Sequence, residues 1–258
     1  MDLNLRDKVA LVGGASMGIG LGIANRLAQE GAHLMIFARR EPALKAAAES
    51  LRERHGVEVE WCTADIRDRD DSPRIVGKAV ERFGRLDILV NNDGAPPLGD
   101  IESFDDTVWQ KAVEQNLFSV IRMVRAALPH LKAQGGSILN ISAISAIQPI
   151  AGFGLSVATW SGLIGYAKTL SLELARHGIN VNTICPGYIN TTRLEKVFSA
   201  GGQDPVETRA KLEAEVPMGR IGSVDDIANM VALLVSPAGA YVTGCSIPID
   251  GGLFKALR

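Results

Sequence analysis

The sequence is short of the features that mark disulfide-stapled, metal-binding, membrane-spanning or nucleic-acid-binding proteins. Its 258 residues hold three cysteines, Cys62, Cys185 and Cys245, far apart and without CxxC spacing. They read as reduced, small apolar residues and not as a disulfide frame or a metal site. No window reaches the roughly 18 uninterrupted apolar residues expected of a membrane span. The N-terminus, Met1-Asp2-Leu3-Asn4-Leu5-Arg6-Asp7, has no apolar core of signal-peptide length. No long run carries one sign of charge, and 27 basic against 29 acidic residues leave a net charge of −2. That balance argues against nucleic acid or an anionic membrane as partner. The four histidines, His33, His55, His130 and His177, show no partner spacing and read as structural or surface residues. A Pro/Gly/Ser linker and a repeat of fixed period are both missing, so the expectation is one cytoplasmic domain spanning residues 1–258.

What the sequence does contain is organised around Val9-Ala10-Leu11-Val12-Gly13-Gly14-Ala15-Ser16-Met17-Gly18-Ile19-Gly20. The apolar run lacks polar alternation and predicts a buried strand. The glycines permit a tight turn and close approach of backbone N–H groups to an anion. Ile23 to Ala28 has helical spacing, so a helix would aim its positive dipole end at that anion. Strand, glycine turn and helix together form a phosphate-binding corner.

Further strands are predicted at His33–Phe37, Val57–Cys62, Leu86–Val90, Ser137–Ile141, Asn180–Cys185 and near Ser246–Ile249. Helices are predicted over Glu41–Arg54, Ser72–Phe83, Thr107–Lys132 with one break, Phe153–His177 and Val224–Val235. The alternation calls for an α/β fold: a single Rossmann-like, doubly wound parallel sheet of about seven strands, with helices on both faces. The polar stretch from Tyr188 to Val216 interrupts the rhythm after the sixth strand. An insertion there lies beside the ligand crevice and is a candidate substrate lid.

With these elements placed, the sequence resembles the short-chain dehydrogenase/reductase family over nearly its whole length. Gly14-Ala15-Ser16-Met17-Gly18-Ile19-Gly20 matches the family's glycine loop, with Gly13 where a Thr usually precedes it. Asp65, followed by Ile66, matches the Asp that meets the adenine ring. Asn91-Asn92-Asp93-Gly94 resembles the family's Asn-Asn-Ala-Gly, with Asp93 replacing the Ala. Asn116 takes the place of the helix asparagine. Pro186-Gly187-Tyr188-Ile189-Asn190-Thr191 resembles the segment that holds the nicotinamide carboxamide. The resemblance implies cofactor contacts from Gly14, Ser16, Met17, Gly18, Ile19, Gly20, Asp65, Ile66, Asn92, Gly94, Pro186, Gly187, Ile189 and Thr191. It also implies a homotetramer or homodimer, with the segment Thr243 to Gly252 in subunit contact.

Charge selects the cofactor. Binders of NAD usually carry an acid after the second strand for the ribose 2′-hydroxyl. Phe37-Ala38-Arg39-Arg40 offers two guanidiniums and no acid. Arginine suits a 2′-phosphate through charge-assisted, often bidentate bonds, so NADP(H) is expected over NAD(H).

The chemistry departs from the family. Its members place a Ser after the fifth strand and a Tyr-x-x-x-Lys on the next helix, where residues four apart share a face. Counting forward from Gly136 to Ser142, the Ser position falls on Ala143, the Tyr position on Ser156 and the Lys position on Trp160. Of the family's four catalytic residues only Asn116 remains. Ser142, one residue before the expected Ser, is a candidate substitute but better suited to capping or turning the chain; Ser156 has a hydroxyl but is a far poorer proton donor than a Tyr, and Ser145 is weaker still. Asp93 is a new ionisable group near the cofactor, able to act as acid/base if burial raises its pKa. Tyr166 and Lys168 are two apart and point to different faces, leaving Lys168 solvated; Tyr188 could reach the pocket from the loop. Losing a positioned general acid costs about 10²–10⁴ in rate, so ordinary carbonyl reduction is expected to be weak or absent. Three readings stand: an oxidoreductase with an atypical site acting on a small molecule, a catalytically silent nucleotide-binding relative serving as sensor or subunit partner, and, less favoured, a non-redox enzyme using the same pocket with the cofactor absent or structural.

Overall fold

In a computed structural model, the structure describes residues 1–92, 94, 96–199 and 204–256, the side chains of 196–199 apart. The chain alternates β1 (Val9–Gly13), α1 (Gly18–Gln29), β2 (His33–Ala38), α2 (Glu41–His55), β3 (Val59–Thr63), α3 (Asp71–Phe83) and β4 (Ile88–Asn91). It continues through α4 (Asp106–Val113), α5 (Ser119–Gln134), β5 (Gly136–Ile141), α6 (Gly154–Leu174) and β6 (Ile179–Pro186). The last part holds α7 (Thr192–Ser199), α8 (Pro205–Glu215), α9 (Val224–Leu234) and β7 (Ser246–Ile249). The seven strands form one sheet in the order β3-β2-β1-β4-β5-β6-β7, every adjacent pair parallel.

Successive residues of a strand point to opposite faces, and in β1 both faces are apolar. Ala10 and Val12 enter one core layer, with Leu27 of α1 and Val231 of α9. Val9 and Leu11 enter the other, with Ile75 of α3, Val124 of α5 and Trp160 of α6. Fully burying one such aliphatic side chain contributes about 1.5–3 kcal/mol, so the two layers fix which face each helix covers. The strand order reverses between β1 and β4, which opens a crevice at the carboxyl ends of these strands.

The opposite end of the sheet is closed electrostatically. The Asp87 carboxylate, 6% exposed, accepts from the backbone N–H of Val9 at 2.9 Å and from Arg85 at 2.8 and 2.6 Å. Lys8 lies 3.5 Å away. A buried carboxylate is tolerated when it is paired and hydrogen-bonded in this way, and this one ties β1 to β4 away from the crevice.

One stretch bears out the expected break and gives its geometry, and a second differs from the sequence-based expectation. The helix expected over 107–132 is three pieces, because a π-helical turn at Glu114–Phe118 separates α4 from α5. Such turns carry one extra residue per turn and redirect the side chains within them; Asn116 sits inside this one. The insertion from Tyr188 to Val216 is largely helical, built from α7 and α8.

Candidate functional site

The corner after β1 has the backbone that the glycine pattern calls for. Gly14 and Gly18 take positive φ, 59° and 58°, a region that side-chain-bearing residues rarely enter. Met17, extended at φ −170°, is the N-cap of α1 and gives no side-chain cap; the first turn holds no acidic residue. The leading N–H groups of α1 therefore lack a side-chain acceptor, which is the condition for holding an anion. A Cβ on Gly20 would lie 2.5 Å from both Asn92 Nδ2 and the Gly14 carbonyl oxygen. Only glycine permits this approach, and Asn92 uses it to donate to the Gly13 carbonyl at 3.2 Å. Ser16 and Ile19 are half-buried, Ile19 against the core layer beneath α1.

Arg39 and Arg40 follow the last residue of β2 and are exposed. Arg40 Nη2 donates to the Met17 thioether at 3.1 Å. Asp65, just past β3, is paired with Arg67, whose Nη2 lies 2.5 Å away. Hydrogen bonds from Arg67 hold the Asp65 carboxyl below the usual range, and Arg39 adds a smaller favourable field. Ile66 packs on the second core layer. On the far side of the switch point, Gly94 has φ 116°, and a Cβ there would collide with Asn116 Oδ1. Asp93 lies outside the described residues.

After β6 the chain turns back over this corner. A Cβ on Gly187 would come 2.7 Å from that of Asp250, so glycine lets the Pro186–Gly187 turn sit against the C-terminal segment. Ile189 is buried and bridges to Gly222. Thr191 Oγ1 donates to the Ile189 carbonyl at 3.3 Å, and its methyl faces Gly18. Between α1, the second half of α2 and the root of α7 lies a hollow of about 490 Å³, lined among others by Leu21, Asn25, Leu51, Arg54, Thr191 and Glu195.

The catalytic candidates are placed differently from the sequence expectation. Ser142 was expected to cap or turn the chain, or, if the strand end shifted, to donate towards substrate. It is instead buried, with its hydroxyl on the Ile184 carbonyl at 3.1 Å and the Cys185 sulfur at 3.3 Å. Its backbone N–H continues the ladder to β6, also through Ile184, so the strand end has not shifted and the hydroxyl belongs to the β5–β6 seam. Asn116 is fully buried, and its Nδ2 donates to Thr159 Oγ1 at 2.8 Å. Thr159 in turn donates to the Leu155 carbonyl at 2.7 Å.

Ser156 is 0% exposed and Trp160 6%, one helical turn apart on the inner side of α6. Trp160 belongs to the core layer that includes Leu163 and that Leu117 and Ala143 pack against. The Ser156 hydroxyl, the Trp160 indole N–H, Asn116 Oδ1 and the Ser145 hydroxyl are buried without a hydrogen-bond partner among the described residues. Each such orphan costs about 1–3 kcal/mol. Positions 156 and 160 are thus both closed by packing.

The remaining candidates are engaged elsewhere. Tyr166 is half-buried against the core beside α6. Lys168 is exposed, as expected of a solvated residue, and donates to the Gly244 carbonyl at 3.1 Å. His33 stacks on Phe83, and His55 pairs with Asn25. Among the described residues no group of His, Cys, Asp or Glu could hold a metal ion, and no helix is long and apolar enough to cross a membrane.

The insertion is a small unit with its own apolar centre, Leu194 and Ile221 packed with Tyr188 and Leu212. Tyr188 does not offer its hydroxyl to the crevice; it donates to Glu215 Oε2 at 3.0 Å. Burial, and then Glu215, push the phenol up to about 12. A phenol whose pKa rises on folding binds its proton more tightly in the folded state, so this contribution is present below the unfolded value near ~10 and fades as pH rises towards 12. In Glu215→Gln, ultraviolet titration should show one tyrosine moving down towards its ordinary range; an unchanged titration would mean that the contact does not hold the phenol. Sequence reasoning missed Thr159 and Glu215, because each earns its place only through a partner distant in the chain.

A parallel sheet that reverses at β1/β4, with an uncapped glycine-turn helix at the reversal, defines a doubly wound, Rossmann-like α/β protein. The chain belongs to the short-chain dehydrogenase/reductase family: residues 14–254 match the family model described as enoyl-(acyl carrier protein) reductase. A Streptomyces coelicolor protein with the provisional name of ketoacyl reductase is 37% identical over 253 residues, 95% of this chain and 97% of the relative. The solved L-sorbose reductase from Gluconobacter frateurii, complexed with NADPH and L-sorbose, superimposes with TM-score 0.95 at 33% identity, covering 100% of both chains. An actinorhodin polyketide ketoreductase variant solved with NADPH gives TM-score 0.90 at 37% identity, over 95% of this chain and 97% of its own. These relatives are oxidoreductases by name, and the two structures hold NADPH.

Proposed function

We propose that this protein is an NADP(H)-dependent oxidoreductase whose acceptor takes hydride without a proton from the pocket wall. The uncapped N-terminus of α1 would hold the pyrophosphate through the turn Gly14 to Gly20, with Ser16 and Met17 at its edge. Arg39 and Arg40 would hold the 2′-phosphate, Asp65 and Ile66 the adenine end, and Asn92, Gly94, Pro186, Gly187, Ile189 and Thr191 the nicotinamide end. These residues suit the group, since a cradle of glycines, free N–H donors and two exposed guanidiniums matches a phosphorylated anion. When bound, the cofactor supplies the hydride, and the protein's part is to bind and position the reactants.

The observation that carries the proposal is the contrast between this open corner and the packed positions 156 and 160. A ketone needs a proton on oxygen as hydride arrives, and no phenol stands where the family keeps one. An iminium ion already carries its proton, and an activated alkene takes one from solvent at carbon. Either acceptor suits this pocket better than a ketone.

NADPH titration by calorimetry, with turnover of ketone, imine and enone panels, tests the reading. Binding with imine or enone turnover above ketone turnover is expected. Binding with no turnover would support the second reading, a silent nucleotide-binding relative, which the core packing of Trp160 favours. No binding would remove both.

A further inference from the structure

Met17 stands at the tip of the glycine turn with 39% of its surface exposed. Its sulfur has two neighbours from distant parts of the chain. Arg40 Nη2 lies 3.1 Å away and Thr192 Oγ1 3.8 Å away. One thioether thus links the turn after β1, the residues after β2 and the first residue of α7. A thioether is a weak acceptor, so Arg40 is held loosely and remains able to turn to a phosphate.

Oxidation would change that. A hydroperoxide transfers one oxygen atom to a sulfur lone pair as its O–O bond breaks, the sulfur is oxidised to sulfoxide, and the peroxide is reduced to water or alcohol. The product is a polar side chain whose oxygen is a far stronger acceptor than the thioether it replaces. We infer that Met17 is an oxidative modification site that lowers NADP(H) affinity, its sulfoxide oxygen engaging the Arg40 guanidinium that would otherwise meet the 2′-phosphate. The inference rests on the NADP(H) reading above.

The other methionines provide the contrast. Met35 and Met123 are 2% exposed and shielded from peroxide, Met230 is half-buried against the core, and Met1 and Met218 are 96% and 70% exposed. Met1 and Met218 should oxidise readily, but the glycine turn and Arg40 are not among their hydrogen-bonded neighbours.

The test treats the full-length protein with hydrogen peroxide, locates sulfoxides by peptide mass spectrometry, and titrates NADPH and NADH before and after. Charge-assisted bonds are the strong ones, so loss of one should raise the NADPH Kd about tenfold and leave NADH within about twofold. Methionine sulfoxide reductases should restore the affinity. In Met17→Leu the NADPH Kd, whatever its starting value, should be the same before and after treatment, whereas Met218→Leu should respond like the parent. In Arg40→Ala, oxidation should cause no further loss. If the untreated protein does not bind NADPH, the cofactor reading fails. If it binds, Met17 is found as sulfoxide and affinity is unchanged, the inference fails and the cofactor reading stands. A Met17→Leu protein that loses affinity as the parent does would also overturn it, by moving the effect to another residue.

Discussion

Replacing Ala143 with Ser, Ser156 with Tyr and Trp160 with Lys together is expected to raise NADPH-dependent ketone reduction by about 10²–10⁴, the range attributed to a positioned general acid. Positions 156 and 160 lie one turn apart on α6, so a phenol and an ammonium there share a helix face. The structure adds a volume argument. Ser156 and Trp160 are both in the packed interior, so Ser156→Tyr alone inserts a ring into filled space, at a cost of about 1–3 kcal/mol. Trp160→Lys alone removes a large core side chain, at about 3–5 kcal/mol. Made together, bulk moves from 160 to 156 and each change relieves the other.

The ammonium also has a prospective acceptor. Asn116 Oδ1 is buried without a partner, and Thr159, next to position 160, already binds the amide of the same side chain. Thermal unfolding should therefore show the double change less destabilising than the sum of the singles, by about 0.5–3 kcal/mol. A Ser156→Phe/Trp160→Lys protein, with the bulk but not the hydroxyl, should fold comparably and stay inactive on ketones. Ala143 is the N-cap of the short turn Ile144–Ala146, so a serine there would also cap that turn. If the triple variant unfolds cooperatively, binds NADPH and still reduces no ketone, positions 143, 156 and 160 do not correspond to the family's catalytic residues.

Why the catalytic positions were harder to read than the fold follows from what each depends on. The β1 corner is local: a run of apolar residues, glycines at positions that need positive φ, and a helix, all within twelve residues. The strand alternation is nearly local, and the switch point follows from it. Ser142 is not local. Its hydroxyl is claimed by Ile184 and Cys185, and nothing near residue 142 announces that β6 will lie beside it. α6 carries small or apolar residues on several sides, so periodicity could not show that Ser156 and Trp160 face the core. A break in the 107–132 stretch was legible, but its π geometry at Asn116 was not, because the apolar pattern continues across it into α5. The helices of the 188–216 insertion were hidden for the opposite reason. α8 begins with Asp204 accepting from Val206 and Pro205 in its first turn, a legible start signal. Yet none of its residues is buried, so it lacks the apolar stripe by which a helix is recognised. What could be read was what the chain specifies over a few residues; what could not was set by packing between distant elements.

Cofactor choice is the other place where two residues should decide a large effect. Arg39→Ala with Arg40→Ala is expected to raise the NADPH Kd about a hundredfold while NADH changes little, because each lost charge-assisted bond is worth about 1.5–3 kcal/mol. Both side chains are exposed at the end of β2, so neither substitution opens a cavity, and thermal stability should move within about 0.5 kcal/mol. Arg40 is the N-cap of α2 without a side-chain cap bond, so removing it costs the helix no capping interaction. Asp65 loses one favourable field when Arg39 goes, but its bonds from Arg67 are the larger cause of its lowered pKa, so it stays ionised at neutral pH. The parent's preference should also weaken as salt screens the exposed guanidiniums, whereas the double variant's smaller preference should hardly respond. Equal loss for NADPH and NADH would place these arginines outside the 2′-phosphate site and return the choice of cofactor to groups elsewhere in the crevice. Loss for NADPH alone, flattening with salt in the parent, would leave the end of β2 as the discriminator and the glycine turn as the part that binds either dinucleotide.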